Sequence, residues 1–418
     1  MRLPPSLLVV LCLLIGRAHA EEVPQQQLDA FRTFVEVYER IRQQYVEDYT
    51  DETLMQAAIE GMLSKLDPHS GYLAPADVSD LRQSTSGEFG GIGIEMDVVN
   101  GLIEVIAPID DSPAALAGVQ ARDLITHIDG DIIRDVSLRE AIEALRGPIG
   151  SAVTLGILRA TDSGSERLEV RLERAIIRVT SVRSKRYPND IGYLRISQFQ
   201  RGTHADLIKA ITALEADAPL KGLVLDLRNN PGGVLDAAID VTDVFLDAGT
   251  IVSTKSRDPM ENQTYSARTE TTLVRTPLVI LINGGSASAS EIVAGALQDH
   301  DRAVLIGSPS FGKGSVQTIL PLANQYALKL TTARYYTPSG RSIQAQGIIP
   351  TIAAKAGRVE ELDESEQVRE ADLPKHLENG VSTKTRTPLA EDLREDNQLW
   401  QALQLLNSAQ LLHRLNGG

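Results

Sequence analysis

The chain has 418 residues, 42% hydrophobic and 23% charged, the balance of a folded protein with room for two or three domains. A formal net charge of −15, from 41 Lys+Arg against 56 Asp+Glu, argues against nucleic acid as the main partner. The single cysteine, Cys12, lies among the first 20 residues, so the remainder has no thiol for a disulfide, a Cys-ligated metal or a cysteine nucleophile.

Residues 1–20 read as a cleavable secretory signal. Arg2 is the basic end, Leu7 to Ile15 is a short apolar run, and Ala18-His19-Ala20 is a small-x-small cleavage pattern. The run is shorter than a membrane span needs, and Leu11 ahead of Cys12 does not fit a lipoprotein signal. Export without disulfides points to a bacterial periplasm, with no integral membrane segment after cleavage.

Residues 21–86 form a helical region. Leu28, Phe31, Phe34, Val35, Val37 and Tyr38 share one apolar face, which Ile41 and Tyr45 extend. A second helix starts near Thr50-Asp51-Glu52 and breaks at Leu66 to Tyr72. His69 in that break has no partner His or Cys nearby and is read as structural.

From Gly87 to about residue 175 the pattern turns to short strands and glycine turns. Gly90-Gly91-Ile92-Gly93-Ile94 leads into an alternating strand, Leu102 to Ile106 is another, and a helix spans Leu138 to Leu145. Such a turn beside a strand and a helix makes a groove in which backbone N–H groups hold a peptide carboxylate while the strand edge pairs with the peptide. The order of elements resembles a PDZ domain, with Gly91, Ile92, Gly93 and Ile94 at its carboxylate loop.

Residues 176–355 alternate strands and helices in an α/β layer arrangement. Residues 356–388 are charged and poor in large apolar groups. Leu393, Leu399, Trp400, Leu403, Leu405, Leu406 and Leu411-Leu412 then make an apolar stripe. Two fates are open for this last region, 356–418: docking on the chain's own core, or pairing with another subunit. The predicted fold class is thus a multidomain α+β and α/β chain.

Three stretches carry chemistry. The first is Asn283-Gly284-Gly285-Ser286-Ala287-Ser288-Ala289-Ser290-Glu291, a small-residue turn between the apolar strand Pro277 to Ile282 and a helix. A hydroxyl at a helix start sits where unpaired N–H groups and the helix dipole favour developing negative charge. The second is Phe311-Gly312-Lys313-Gly314-Ser315-Val316-Gln317. A lysine activates a hydroxyl only when neutral, and the apolar, glycine-rich setting of Lys313 favours that by desolvation. Uncharged Gln317 positions an amine without raising its pKa. The third is Asp226 to Gly233, in which Asn230-Pro231-Gly232-Gly233 turns backbone N–H groups outward. One of them, with that of Ala289, would hold a carbonyl oxygen as it gains charge.

Together with the PDZ-like insert, these stretches resemble the C-terminal processing peptidases, or tail-specific proteases. The resemblance implies that the nucleophile is the middle serine of Ser-Ala-Ser-Ala-Ser, Ser288, with Lys313 as base and Gln317 assisting. It puts the oxyanion donors at Ala289 and one glycine of the turn, Gly233 preferred and Gly232 open. It further implies exported protein substrates with unstructured apolar C-termini, such as precursors or cell-wall hydrolases, no cofactor, no metal, oligomers, and in some members an adaptor.

Three rival readings follow from the same residues. Gly307 to Lys313 fits the opening of an NTPase phosphate loop, but Gly314 stands where Mg²⁺ coordination needs Ser or Thr. Asp299 and His300 offer a Ser-His-Asp site, but a helix would carry them away from Ser288. A non-catalytic peptide-binding scaffold would keep the PDZ-like region and lose the serine or the lysine, and both are present.

Overall fold

The computed structural model describes residues 24–99, 101–109, 111–134, 137–161, 164–359 and 390–415. The expected signal peptide and most of the charged stretch after residue 356 lie outside them. Among the described residues no helix is long and apolar enough to cross a membrane. The chain divides into two compact units, 1–72 and 73–418.

In the first unit, helix α1 (Gln25–Gln44) ends where the chain extends at Tyr45. Helix α2 (Asp51–Leu63) starts at Thr50, whose hydroxyl accepts from Thr53 N at 3.2 Å, a standard N-cap. After α2 the carboxylate of Asp67 closes a turn by accepting from His69 N and Ser70 N. The apolar residues of α1, including Phe31 and Val35, are exposed.

The second unit opens with α3 (Pro75–Ser86), ended by Gly87 in the left-handed region (φ 73°), a frequent helix stop. Then come β1 (Glu88–Gly91), β2 (Ile94–Val99), β3 (Leu102–Pro108), α4 (Pro113–Leu116), β4 (Leu124–Ile128), α5 (Leu138–Leu145), β5 (Ala152–Thr161), β6 (Gly164–Glu173) and β7 (Ala175–Arg178). The sheet runs β2–β3–β4–β5–β6, antiparallel throughout, and β1 pairs with β7. Ile103, Val105, Ile125, Val153, Leu155 and Ile157 alternate into its core, the period-2 pattern of a half-buried sheet. Among the described residues strand β2 has one neighbour, which leaves its other edge unpaired.

A second sheet follows, from β8 (Val182–Tyr187), β9 (Ile191–Ile196), β10 (Gly222–Asp226), β13 (Leu278–Ile282), β14 (Ala303–Gly307) and β17 (Ile352–Ala353), in that spatial order. Only β8–β9 is antiparallel. One face, with Leu223, Leu225, Ile280 and Ile282, packs on α6 (Thr203–Leu214), α7 (Leu235–Asp243) and α8 (Ala289–Asp299). A sheet covered on both faces explains the unbroken apolar runs of β10 and β13.

The other face, with Ile191, Val224, Val279 and Leu281, is covered by Leu399, Ala402, Leu403 and Leu406 of the C-terminal helix α10 (Asn397–Leu415), which follows a short α9 (Glu391–Arg394). The apolar stripe thus docks on the chain's own sheet. Leu411, Leu412 and Leu415 beyond it stay exposed.

A smaller antiparallel sheet forms around the alternating run Tyr326 to Tyr336, which reads as a partly exposed strand in the sequence; its partner strands were not foreseen. Strand β15 (Ser315–Pro321) pairs with β16 (Ala327–Tyr336), β16 with β11 (Thr250–Ser256), and β11 with β12 (Gln263–Ser266). The stretch read as a turn around Lys313 therefore continues into a strand that carries Gln317.

Candidate active site

Three turns meet at the carboxyl ends of β10, β13 and β14, where open α/β sheets present their functional loops. The turn after β13 is pinned to the turn after β10. Ala287 N and Ser290 Oγ both donate to Asn230 O, at 3.0 and 2.9 Å. Ser286 Oγ donates to Leu227 O at 2.8 Å, and the side chains of Asn229 and Asn283 bond each other at 2.9 Å.

This stitching separates the three serines. The hydroxyls of Ser286 and Ser290 are fully buried and committed to backbone carbonyls. Ser288 is only half-buried, and its hydroxyl caps nothing. Its backbone lies at φ 55°, ψ −111°, a region costing a non-glycine residue about 1–3 kcal/mol and found where function over-determines the backbone. The neighbouring N–H of Ala289 begins α8 and has no acceptor among the described residues.

Opposite stands the glycine pair, both with positive φ, 100° at Gly232 and 144° at Gly233. A Cβ on Gly232 would lie 2.9 Å from Ser288 Cβ and 2.7 Å from Ala287 O, so only glycine allows this approach. The N–H of Gly232 is taken by Asn230 Oδ1 at 2.9 Å. That of Gly233 has no acceptor among the described residues.

Glu291 ties in the third turn, a role sequence reasoning missed. It is fully buried in the first turn of α8, where the helix dipole favours a carboxylate. Its Oε2 accepts from Ser288 N at 2.7 Å and Lys313 N at 2.8 Å. Its Oε1 accepts from Gly312 N at 2.7 Å and Ser310 Oγ at 2.6 Å. The backbone of the serine and that of the lysine thus share one oxygen atom. The signal in the sequence was the spacing Ser288-x-x-Glu291, half of a capping box.

Lys313 is half-buried, and the adjoining Phe311 N donates to Ser286 O at 3.0 Å, a further tie between the lysine's turn and the serine's. On β15 the amide of Gln317 donates to Ser315 Oγ at 3.1 Å and Thr331 Oγ1 at 2.9 Å. Its carbonyl oxygen is buried and has no hydrogen-bond partner among the described residues, a costly state for an acceptor and one that an amine N–H would relieve.

The geometry disfavours two rivals. Gly314 leads into β15, whereas a phosphate loop opens a helix. His300 ends α8, about 18 Å along the axis from Ser288, and its Nε2 bonds Thr250 O at 2.7 Å. Asp299 there is bound to Ser339 N and Arg341.

Gly91, Ile92, Gly93 and Ile94 lie apart from these turns, between β1 and β2. Their neighbours Phe89, Met96, Ile142, Leu145 and Arg146 complete a groove of about 240 Å³ between the open edge of β2 and α5. Gly93 has φ 76°, and a Cβ there would sit 2.3 Å from Ser112 Cβ. The carbonyls of Ile92 and Gly93 accept from Ala114 N and Ile109 N, each at 2.9 Å. The N–H groups of the same two residues have no acceptor among the described residues, which suits them to an anion.

Residues 190–354 match the model of peptidase family S41, residues 104–159 that of a PDZ domain, and residues 16–76 that of the activating protease CtpB N-terminal domain. A carboxy-terminal-processing protease of Bartonella bacilliformis is 48% identical over 381 residues, covering 89% of this chain and 87% of the relative. A probable CtpA-like serine protease of Staphylococcus epidermidis is 35% identical over 329 residues, covering 78% and 66%. Among solved structures, a photosystem II D1 C-terminal processing protease is 30% identical, covering 80% of this chain and 94% of that one, at a TM-score of 0.45.

Proposed function

The chain belongs to the carboxy-terminal-processing proteases of peptidase family S41, PDZ-containing serine-type peptidases, and from that premise we propose that Ser288 and Lys313 are its nucleophile and base. The observation that carries this reading is that Ser288 alone of the three serines keeps a hydroxyl free of backbone carbonyls, while its backbone N shares Glu291 Oε2 with Lys313 N. Neutral Lys313 takes the Ser288 proton, held in place by the open carbonyl oxygen of Gln317. Ser288 Oγ attacks a peptide carbonyl whose oxygen is received by the N–H groups of Ala289 and Gly233. Lys313 then protonates the leaving amine, and water releases the acyl-enzyme. Gly233 is preferred to Gly232 as donor because the latter's N–H is occupied by Asn230.

The groove at Gly91 to Ile94 receives the free C-terminus of an apolar, unstructured substrate tail. Its carboxylate meets the open N–H groups of Ile92 and Gly93, and the tail adds a strand to β2. Substrates are exported proteins, cell-wall hydrolases among the candidates, and the compartment is the periplasm, reached with the signal at residues 1–20. Homo-oligomers and an adaptor belong to the same reading. The test is hydrolysis of a peptide with a free apolar C-terminus. Ser288→Ala and Lys313→Ala are each expected to lower kcat about a thousandfold or more, and His300→Ala to leave it unchanged. Activity should rise with pH as Lys313 loses its proton. A flat profile from pH 6 to 10, or an active Ser288→Ala enzyme, would remove the dyad.

A further inference from the structure

The turn that presents Gly233 begins at a buried charge cluster that the mechanism above does not use. Asp226 ends β10 with no exposure, and Arg228 follows two residues later, 14% exposed in its side chain. Arg228 grips Asp226 through Nε and Nη2, at 2.9 and 2.6 Å. Its outer edge grips Asp396, Nη1 to Oδ1 at 2.8 Å and Nη2 to Oδ2 at 2.7 Å. Gln398 Oε1 adds a contact to Nη1 at 3.1 Å. Tyr193 OH and Arg195 complete the surroundings of Asp226.

Asp396 and Gln398 come from the far end of the chain. Asp396 caps α10, its Oδ1 accepting from Leu399 N at 3.0 Å. Burial works against ionisation of Asp396, but the hydrogen bonds and charge of Arg228 outweigh it and hold the carboxyl below its usual range. The guanidinium is correspondingly raised, its burial overcome by Asp226 and Asp396.

The braced segment needs support. Asn229, next to Arg228, has φ 56°, and Gly232 and Gly233 follow at 100° and 144°, so three of five consecutive residues are left-handed. Leu227 O and Asn230 O also carry Ser286, Ala287 and Ser290 of the nucleophile turn. A shift of Arg228 would therefore move both the oxyanion donor and the serine. Resting on the dyad and oxyanion reading above, we propose that Asp396 is a positioning residue. From the C-terminal segment it clamps Arg228 and so sets the oxyanion turn for catalysis.

Asp396→Asn is the informative variant, because asparagine still caps a helix but loses the paired charge-assisted bonds to Arg228. Its kcat is expected to fall about tenfold, as small misplacements at a distance do, with KM for a short peptide unchanged. Asp396→Glu should restore much of it. Lys185→Ala is the control. It removes the ion pair and hydrogen bond that Lys185 makes to Asp392 on α9, loosening the same segment without touching Arg228, and kcat should stay at wild type. Wild-type kcat in Asp396→Asn overturns the proposal, as does an equal loss in Lys185→Ala or a rise in KM in place of the fall in kcat. Should Asp396→Asn not fold, Gln398→Met carries the test, with kcat down about threefold at constant KM; wild-type kcat there overturns it too. An active Ser288→Ala enzyme would sink the dyad instead, and is read separately.

Discussion

The turns around Ser288 and the groove at Gly91 to Ile94 are built on opposite plans. At Ser288 nearly every polar group of the surrounding backbone is bonded inward, to Asn230, Leu227, Glu291 or Asn283. Among the described residues, what remains open is the Ser288 hydroxyl and the N–H groups of Ala289 and Gly233. At Gly91 to Ile94 the carbonyls of Ile92 and Gly93 are bonded inward, but among the described residues their N–H groups have no acceptor and one edge of β2 is unpaired. Chemistry needs atoms held within a fraction of an ångström. Recognition of many tails needs main-chain partners that ignore side-chain identity.

The comparison breaks most sharply at Glu291. Glu291→Gln places an amide N–H₂ where four donors now converge. We expect a loss of about 3 kcal/mol in stability and of about a hundredfold in kcat, read by thermal melting and steady-state kinetics on the same preparation. A Gln variant with wild-type kcat would mean that the shared carboxylate does not register serine against lysine.

A middling effect is expected at the groove. Amidating the substrate's C-terminus removes the charge that we propose the N–H groups of Ile92 and Gly93 receive. It should raise KM about tenfold while kcat at saturation stays put. Equal KM for acid and amide would take tail reading away from this loop.

The smallest effect concerns how the rigid plan is anchored. Asp396 and Asp392 are both held below the usual carboxylate range, Asp396 by Arg228 against its burial, Asp392 chiefly by hydrogen bonds from Lys185 and Tyr187. A lowered folded value means a contribution fully present above the unfolded value of about 3.9 and lost as pH falls through the folded one. Hydrogen exchange in residues 390–415 should therefore speed up relative to β10 only below about pH 4.

Much of this site was readable along the chain, because its signals are local. Small residues between an apolar strand and a helix specify a turn with open N–H groups, and Gly232-Gly233 specifies backbone that other residues resist. The PDZ-like order and the α/β alternation were legible for the same reason, since period and turn chemistry act over a few residues. Other features depend on partners far away along the chain. The burial of Ser286 and Ser290, the sharing of Glu291 between two turns, the small sheet that carries Gln317, the docking of α10 on its own sheet and the grip of Asp396 on Arg228 were settled only by packing. A buried polar group must find a partner wherever the fold supplies one, and no pattern along the chain says which.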